Sequence, residues 1–268
     1  MDRTDRIATL AALRGRLAAL GGQAAPPPDA ARIALGAAAV DAALDGGLAR
    51  GAVHEIFAAR PADAAAAAGF AVALAVRAAA AKPIVWVRQD FLDAETGRVH
   101  APGLADLGLD PGRVLLVRAK DVAALLRAAG EALRCAALGA VLMEPWGASP
   151  LLDLTASRRL GLAAEESGVP ALLLRAAAAP APSAAATRWR AAAAPSLPLE
   201  AGAPGHPAFD IVLERRRGGA EGGPWAVEWN RELGVFRERP ALSGAVVSLP
   251  AGRPHRAGAP DGGLRRAG

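Results

Sequence analysis

A stretch near the start of the chain has the outline of a phosphate-binding loop but lacks the residues that bind phosphate. An apolar run at residues 53–57 and an alanine-rich segment from residue 64 enclose it. In a loop of sequence G-x-x-x-x-G-K-S/T, glycines bring backbone N–H groups to the phosphates, the lysine reaches the terminal phosphates and the hydroxyl holds Mg²⁺. Residues 58–67 contain no glycine, lysine, serine or threonine, and Asp63 would repel a phosphate. The positions that mark this vestigial loop are Ala58, Arg60, Asp63 and Ala66.

The segments around the loop alternate between strand and helix patterns. Short continuous apolar runs predict strands at 53–57, 84–87, 114–117, 140–143 and 171–174. Apolar residues at helical spacing predict one helix between the third and fourth strands and another at 153–166. Buried strands that alternate with helices indicate a parallel sheet covered on both faces. Residues 210–215 and 224–229 then predict an antiparallel pair joined by a glycine-rich turn.

Composition limits the function classes only weakly. The 268 residues carry a formal net charge of +5 with a pI near 10.7, which is compatible with nucleic acid or an acidic partner. The single cysteine excludes a disulfide framework and a thiolate metal cluster. The charged start of the chain is not that of a signal peptide, and Arg77 interrupts the most apolar window, 64–81. We expect a cytoplasmic protein with no membrane span.

Residues 44–57, L-D-G-G-L-A-R-G-A-V-H-E-I-F, resemble the lead-in to the ATP loop of RecA-family recombinases. Further segments narrow the resemblance to the ImuA family, the RecA-like accessory proteins of bacterial mutagenic translesion synthesis. These segments are 86–88 with 91–92, 101–104, 109–111, 154–160, 167–171 and 183–190. The resemblance runs from about residue 35 to about residue 239, and 154–160 and 185–190 are its most specific parts. It implies an α/β fold with a RecA-like core, a mostly parallel sheet flanked by helices and a late antiparallel hairpin.

The resemblance also locates the other positions of an ATPase. A RecA-type enzyme has a catalytic glutamate after its second strand, and Gln89 stands there, where it cannot act as a base. The fourth strand ends in Glu144, an acid that would hold Mg²⁺ through water. Without the lysine and the hydroxyl, Glu144 is interpreted as vestigial. We therefore expect no enzyme activity, no catalytic residue and no cofactor, and no histidine lies in a ligand-spaced metal motif.

A basic segment at 175–199 is the candidate interaction surface. Residues 168–199 contain no acid, and the basic and aromatic candidates for contact with single-stranded DNA or a partner are Arg175, Arg188, Trp189 and Arg190. Arginines beside an aromatic ring suit a phosphate backbone and a stacked base. In the alternative interpretation, Trp189 packs in the core and the arginines are solvated or pair with acids. Arg158 and Arg159, early in a helix, are further contact candidates, and the alternative for them is an exposed helix surface.

The spacing of apolar residues at the start of the chain predicts an amphipathic helix. Leu10, Leu13 and Leu17 lie on one face, which needs either a partner surface or the chain's own core. Prolines follow, and glycine, proline and arginine dominate the end of the chain. We predict four segments: an N-terminal amphipathic helix at 1–24, a linker at 25–34, a RecA-like core with a degenerate ATP loop at 35–240 and a disordered basic tail at 241–268.

The resemblance implies a non-catalytic scaffold in DNA-damage-induced mutagenic translesion synthesis. Its implied partners are RecA, an ImuB-type inactive Y-family polymerase and an error-prone C-family DNA polymerase. Two alternatives stay open. One is a SulA-like cell-division inhibitor that binds FtsZ, because that class also lacks the ATP loop. The other is a RecA-like ATPase with a non-standard loop.

Overall fold

A computed structural model describes residues 32–203 and 205–239 of the chain. The predicted N-terminal helix with Leu10, Leu13 and Leu17 and the predicted tail at 241–268 lie outside the described residues. The strands are β1 (Arg32–Ile33), β2 (Leu48–Ala49), β3 (Val53–Ala58), β4 (Ile84–Gln89), β5 (Val114–Ala119), β6 (Ala140–Glu144), β7 (Ala171–Arg175), β8 (Thr187–Ala193), β9 (Ala208–Arg216), β10 (Gly222–Asn230) and β11 (Val235–Glu238). The α-helices are α1 (Ala38–Ala43), α2 (Ala64–Ala79), α3 (Leu92–Glu95), α4 (Ala101–Asp106), α5 (Val122–Leu133) and α6 (Leu154–Ser167).

Nine of these strands form one sheet in the order β11-β10-β9-β8-β3-β7-β6-β4-β5. The six strands from β8 to β5 in that order run parallel, whereas β8, β9, β10 and β11 pair antiparallel. This arrangement confirms the predicted mostly parallel sheet with a late antiparallel hairpin. All five predicted parallel strands are present, and the carboxyl ends of the parallel strands meet at one edge of the sheet. That edge is where open α/β sheets bind ligands.

Helices cover the two faces of the parallel strands. Nine of the sixteen residues of helix α2 are buried, and its Phe70 lies among Trp189, Phe209 and Phe236 on one face. Helices α5 and α6 pack side by side on the other face, through residues such as Leu125 and Leu160. Strands β3, β4, β6 and β7 are therefore buried on both sides. This is why they appear in the sequence as continuous apolar runs.

Local sequence sets the ends of α5 and α6. The carboxylates of Asp121 and Asp153 each accept a hydrogen bond of 2.7 Å from the backbone amide three residues later, so each caps a helix amino terminus. Helix α6 ends at Gly168, whose φ of 71° is the left-handed conformation that glycine adopts most easily. The caps at Asp153 and Gly168 set the two ends of α6, the helix that carries two exposed arginines.

Helix α2, with the turn before it, is the one stretch of the described residues long and apolar enough to cross a membrane. Over Pro61–Ala79, 56% of the apolar window is buried within the fold. The helix lies against β3, β6 and β8 of the sheet. Its apolar character is that of a core helix.

Candidate functional site

The turn between β3 and α2 is closed by an inward-facing carboxylate. Asp63 is 2% exposed and accepts hydrogen bonds from Arg60 Nε at 2.8 Å and from the Ala193 backbone amide at 3.2 Å. The Arg60 guanidinium, followed by that amide, lowers the pKa of Asp63, so the side chain is an anion. The carboxylate lies at the amino end of α2, where the helix dipole stabilises negative charge. A protein anion therefore occupies the region in which the resemblance expects phosphates.

At the carboxyl edge of the sheet, Glu144 is part of a buried ion-pair cluster. Glu144 on β6 and Arg88 on β4 are register partners in neighbouring strands. The Glu144 carboxylate accepts from Arg88 Nε at 2.7 Å and from Trp86 Nε1 at 3.1 Å. Burial raises the pKa of Glu144, while the bonds from Arg88 and Trp86 oppose that rise. The charge that a Mg²⁺ ion would balance in an ATPase is thus balanced here by an arginine.

The other two nitrogens of the Arg88 guanidinium also donate hydrogen bonds. It donates to Asp93 Oδ1 at 2.8 Å, to the Gly97 carbonyl at 2.9 Å and to Thr96 Oγ1 at 2.6 Å. Arg88 is 5% exposed, so these bonds satisfy a charge that would otherwise be buried alone. Arg88 therefore ties strand β6 to the segment that follows β4.

Gln89, at the position expected for a catalytic glutamate, has a structural bond. Its Oε1 accepts from the Trp146 backbone amide at 2.7 Å, and the residue is buried. The side chain holds the start of the loop after β6 against the end of β4. Its oxygen is engaged by the protein itself.

A cleft of about 700 Å³ lies at the same edge, between α2 and residues 95–107. Most of its walls are apolar, with Val72, Trp86, Leu104 and Trp146 among them. Arg88 and Glu144 reach the cleft but are bonded to each other. Within the described residues, no group of three or more His, Cys, Asp or Glu side chains could hold a metal ion.

The structure brings the basic segment into the sheet. Residues 187–193 form strand β8, between β3 and β9, and the strand's side chains alternate between buried and partly exposed positions. Trp189 is 0% exposed, contacts Phe70 and donates to Thr187 Oγ1 at 2.8 Å. Because neither face of the ring is open, Trp189 cannot stack on a base, and that prediction is wrong.

The arginines of this segment bond to the protein. Arg188 pairs with Glu55 at 2.8 Å and also bonds to the loop before β8, and Arg190 pairs with Glu214. Arg175 is 4% exposed, lies over the Phe57 ring and has its pKa lowered by burial. Trp189 therefore lies in the core, and Arg188 and Arg190 pair with acids, as the alternative interpretation predicts.

Arg158 and Arg159 remain at the surface. Both are exposed on α6, and they line two different cavities. Arg158 lies beside Gly51 and Arg217 near the amino end of β3, whereas Arg159 faces the groove between α6 and α5. The two adjacent arginines point about 100° apart around the helix, as helical geometry requires.

Strand β5 is an exposed apolar surface that the sequence did not single out. Among residues 32–203 and 205–239 it is the last strand of the sheet and pairs only with β4. Leu115 is 61% exposed and Leu116 is 36% exposed. An apolar outer strand with free backbone groups is suited to pairing with a strand of another chain.

Sequence comparison relates the chain to curated proteins of one kind. Over 157 residues it is 37% identical to Protein ImuA of Caulobacter vibrioides, in two strains. The similarity supports assignment to the ImuA family. The match covers 54% of this chain, and the chain spans 59% of the length of these ImuA proteins. No family model matches the chain.

Structural comparison confirms the RecA-like fold. The crystal structure of the RadB recombinase superposes with a TM-score of 0.50, covering 78% of this chain and 100% of that one. The sequences are 15% identical, so the likeness concerns the fold. The sequence segment at 44–57 predicts the recombinase fold, and the later segments predict the ImuA similarity.

Proposed function

We propose that this chain is a non-catalytic, cytoplasmic RecA-like scaffold in DNA-damage-induced mutagenic translesion synthesis. It bridges RecA and a complex of an ImuB-type inactive Y-family polymerase with an error-prone C-family polymerase. The observation that carries the non-catalytic part is the Arg88–Glu144 pair, because it occupies the carboxyl edge where an ATPase needs a free acid and a metal ion. The turn at Asp63 supports the same proposal, since it places a buried carboxylate at the amino end of α2, where an ATP loop has groups that bind phosphate.

The proposed mechanism is mimicry of a recombinase subunit. The RecA-like sheet is kept, and its outer strand β5 exposes Leu115 and Leu116 for contact with another chain. A subunit that docks like a recombinase but hydrolyses no ATP would remain in place at a RecA filament. It could then present the polymerase complex there.

A pull-down of the tagged chain from its own host after DNA damage tests the partners, with nuclease added to remove DNA bridges. We expect RecA or the inactive Y-family polymerase relative to be recovered. Recovery of FtsZ without either protein would indicate a division inhibitor, and recovery of none of them would contradict the scaffold. Calorimetric titration with Mg²⁺-ATP tests the other alternative, because only a working nucleotide site would produce binding heat.

A further inference from the structure

The groove between α5 and α6 has an apolar floor built from two leucines and two small residues. Leu126 and Gly130 contribute from α5, and Leu160 and Ala163 from α6. An added Cβ at Gly130 would meet no heavy atom within 4 Å, so this side of the groove is open. The volume is about 250 Å³, below the roughly 300 Å³ at which small-molecule pockets begin. The space suits the anchoring side chains of a peptide better than a cofactor.

The rim of the groove is basic. Arg127 on α5 and Arg159 on α6 are exposed and, within residues 32–203 and 205–239, neither forms an ion pair or a side-chain hydrogen bond. Arg134 is a third rim arginine and pairs with Glu131 at 2.6 Å, an exposed pair in the same groove. Two unpaired guanidinium groups beside an apolar floor favour carboxylates next to apolar side chains.

The chain's own termini have the wrong charge for this groove. The predicted N-terminal helix at residues 1–24 carries four arginines and two aspartates. Residues 241–268 carry four arginines and a single aspartate. Either segment would bring positive charge against the rim, whether it came from this chain or from a second copy. Neither segment therefore complements the rim, whereas a partner helix that carries acidic residues does.

We infer that the α5–α6 groove is a docking site for an acidic amphipathic helix of a partner protein. Apolar residues at positions i, i+3, i+4 and i+7 of that helix fill the floor between Leu126 and Leu160. Glutamates or aspartates that flank this stripe pair with Arg127 and Arg159. A third helix laid along two packed helices is an ordinary ridges-into-grooves arrangement. The site requires no role in translesion synthesis, and its lining does not include the exposed Leu115 and Leu116 of strand β5.

Fluorescence anisotropy with the full chain and a labelled synthetic peptide tests the site. The probe is an amphipathic 16-residue helix, with leucines on one stripe and glutamates beside it. A scrambled peptide of the same composition and a version with lysine in place of glutamate are the peptide controls. We expect the acidic amphipathic peptide to bind and the two control peptides to bind at least about tenfold more weakly.

Two pairs of variants locate the binding. Arg159→Glu should weaken binding about tenfold. Arg158→Glu, at a side chain that points about 100° away around α6 and lines a different cavity, should leave binding unchanged. Gly130→Phe fills the groove and should abolish binding, while Gly161→Phe, at a helix glycine with equally open surroundings, should not. Circular dichroism confirms that each variant is folded.

Three results would overturn the inference. The first is equal affinity for the acidic amphipathic peptide and its scrambled control. The second is equal weakening by Arg158→Glu and Arg159→Glu. The third is binding of single-stranded DNA that Arg159→Glu abolishes while the peptide does not bind, which would make the groove a nucleic-acid site. None of these results bears on the proposed scaffold, whose partners are tested separately by the pull-down.

Discussion

Replacing Arg88 with methionine removes the cation from a buried cluster and leaves Glu144 without its counter-charge. Arg88 is 5% exposed and bonds to Glu144, Asp93, Thr96 and the Gly97 carbonyl. Removing one partner of a buried ion pair costs about 3–5 kcal/mol. That cost is a large part of the roughly 5–15 kcal/mol by which a domain is stable. Urea unfolding followed by tryptophan fluorescence measures the loss, since Trp86 itself contacts Glu144.

Two further variants separate the buried charge from other effects of the substitution. Arg118 pairs with the same Asp93 but is 53% exposed, so Arg118→Met should cost no more than about 1 kcal/mol. Adding Glu144→Gln to Arg88→Met removes the stranded charge and should recover part of the stability. A loss below about 1 kcal/mol for Arg88→Met, or no recovery in the double variant, would refute the assigned role of the pair.

The same substitution should change how stability depends on pH. Burial already raises the pKa of Glu144, and loss of Arg88 removes the main interaction that opposes the rise. The folded variant then binds more protons than the unfolded chain, so its stability falls as pH increases through the raised pKa. The deficit of Arg88→Met relative to the unaltered chain should therefore be smaller in mildly acidic solution than at pH 8. A deficit independent of pH would argue against a stranded carboxylate.

Three other predictions concern separate parts of the chain. Mg²⁺-ATP should give no binding heat in calorimetry, and saturable heat would contradict the closed site. Burial lowers the pKa of His54 from 6.5 to about 4, so the free energy of unfolding should fall by about 3 kcal/mol as pH falls from 6.5 to 4. His54→Gln should remove this pH dependence of stability in acid unfolding curves. An unchanged pH dependence would mean that it arises from another group. Leu115→Lys adds a charge at a 61% exposed position, so it should leave the midpoint of thermal unfolding nearly unchanged. The same variant should recover less of the partners in the pull-down. Full recovery of the partners would exclude β5 as the contact surface.

The tautomer of the neutral His54 ring follows from its neighbours, whereas burial is what keeps the ring neutral. Its Nε2 lies 2.9 Å from the Ala49 carbonyl, which can only accept, so Nε2 carries the proton. Its Nδ1, 2.8 Å from Thr187 Oγ1, then accepts from the hydroxyl, which in turn accepts from Trp189 Nε1. Protonation of Nδ1 would make this nitrogen a donor, and the Thr187 hydroxyl would then lose the acceptor of its own hydrogen.

The sequence predicted the parallel strands because burial on both faces produces continuous apolar runs, as at β4 and β6. It did not predict strand β8. Thr187, Trp189 and Ala191 point inward and alternate with Arg188 and Arg190, a period of two that signals a half-buried strand. The arginines alone favour a binding surface, whereas their alternation with buried residues indicates a strand.

Other features depend on contacts between residues distant in the sequence. Arg88 and Glu144 are 56 positions apart, and only the adjacency of β4 and β6 brings them together. The exposure of Leu115 depends on β5 being the outer strand, and strand order in a sheet is not visible in local patterns. The groove between α5 and α6 likewise depends on how two helices pack, and no sequence motif indicates that packing.

Retention of the polymerase complex on an immobilised RecA filament tests the scaffold most directly. RecA from the same host is assembled on single-stranded DNA, and the inactive Y-family relative with the C-family polymerase is passed over it, with and without the purified chain. We expect the polymerase complex to be retained only when the chain is present. Arg190→Ala, at a partly exposed position of β8, should leave this retention unchanged. Equal retention with and without the chain, together with unchanged filament assembly, would contradict a bridging function.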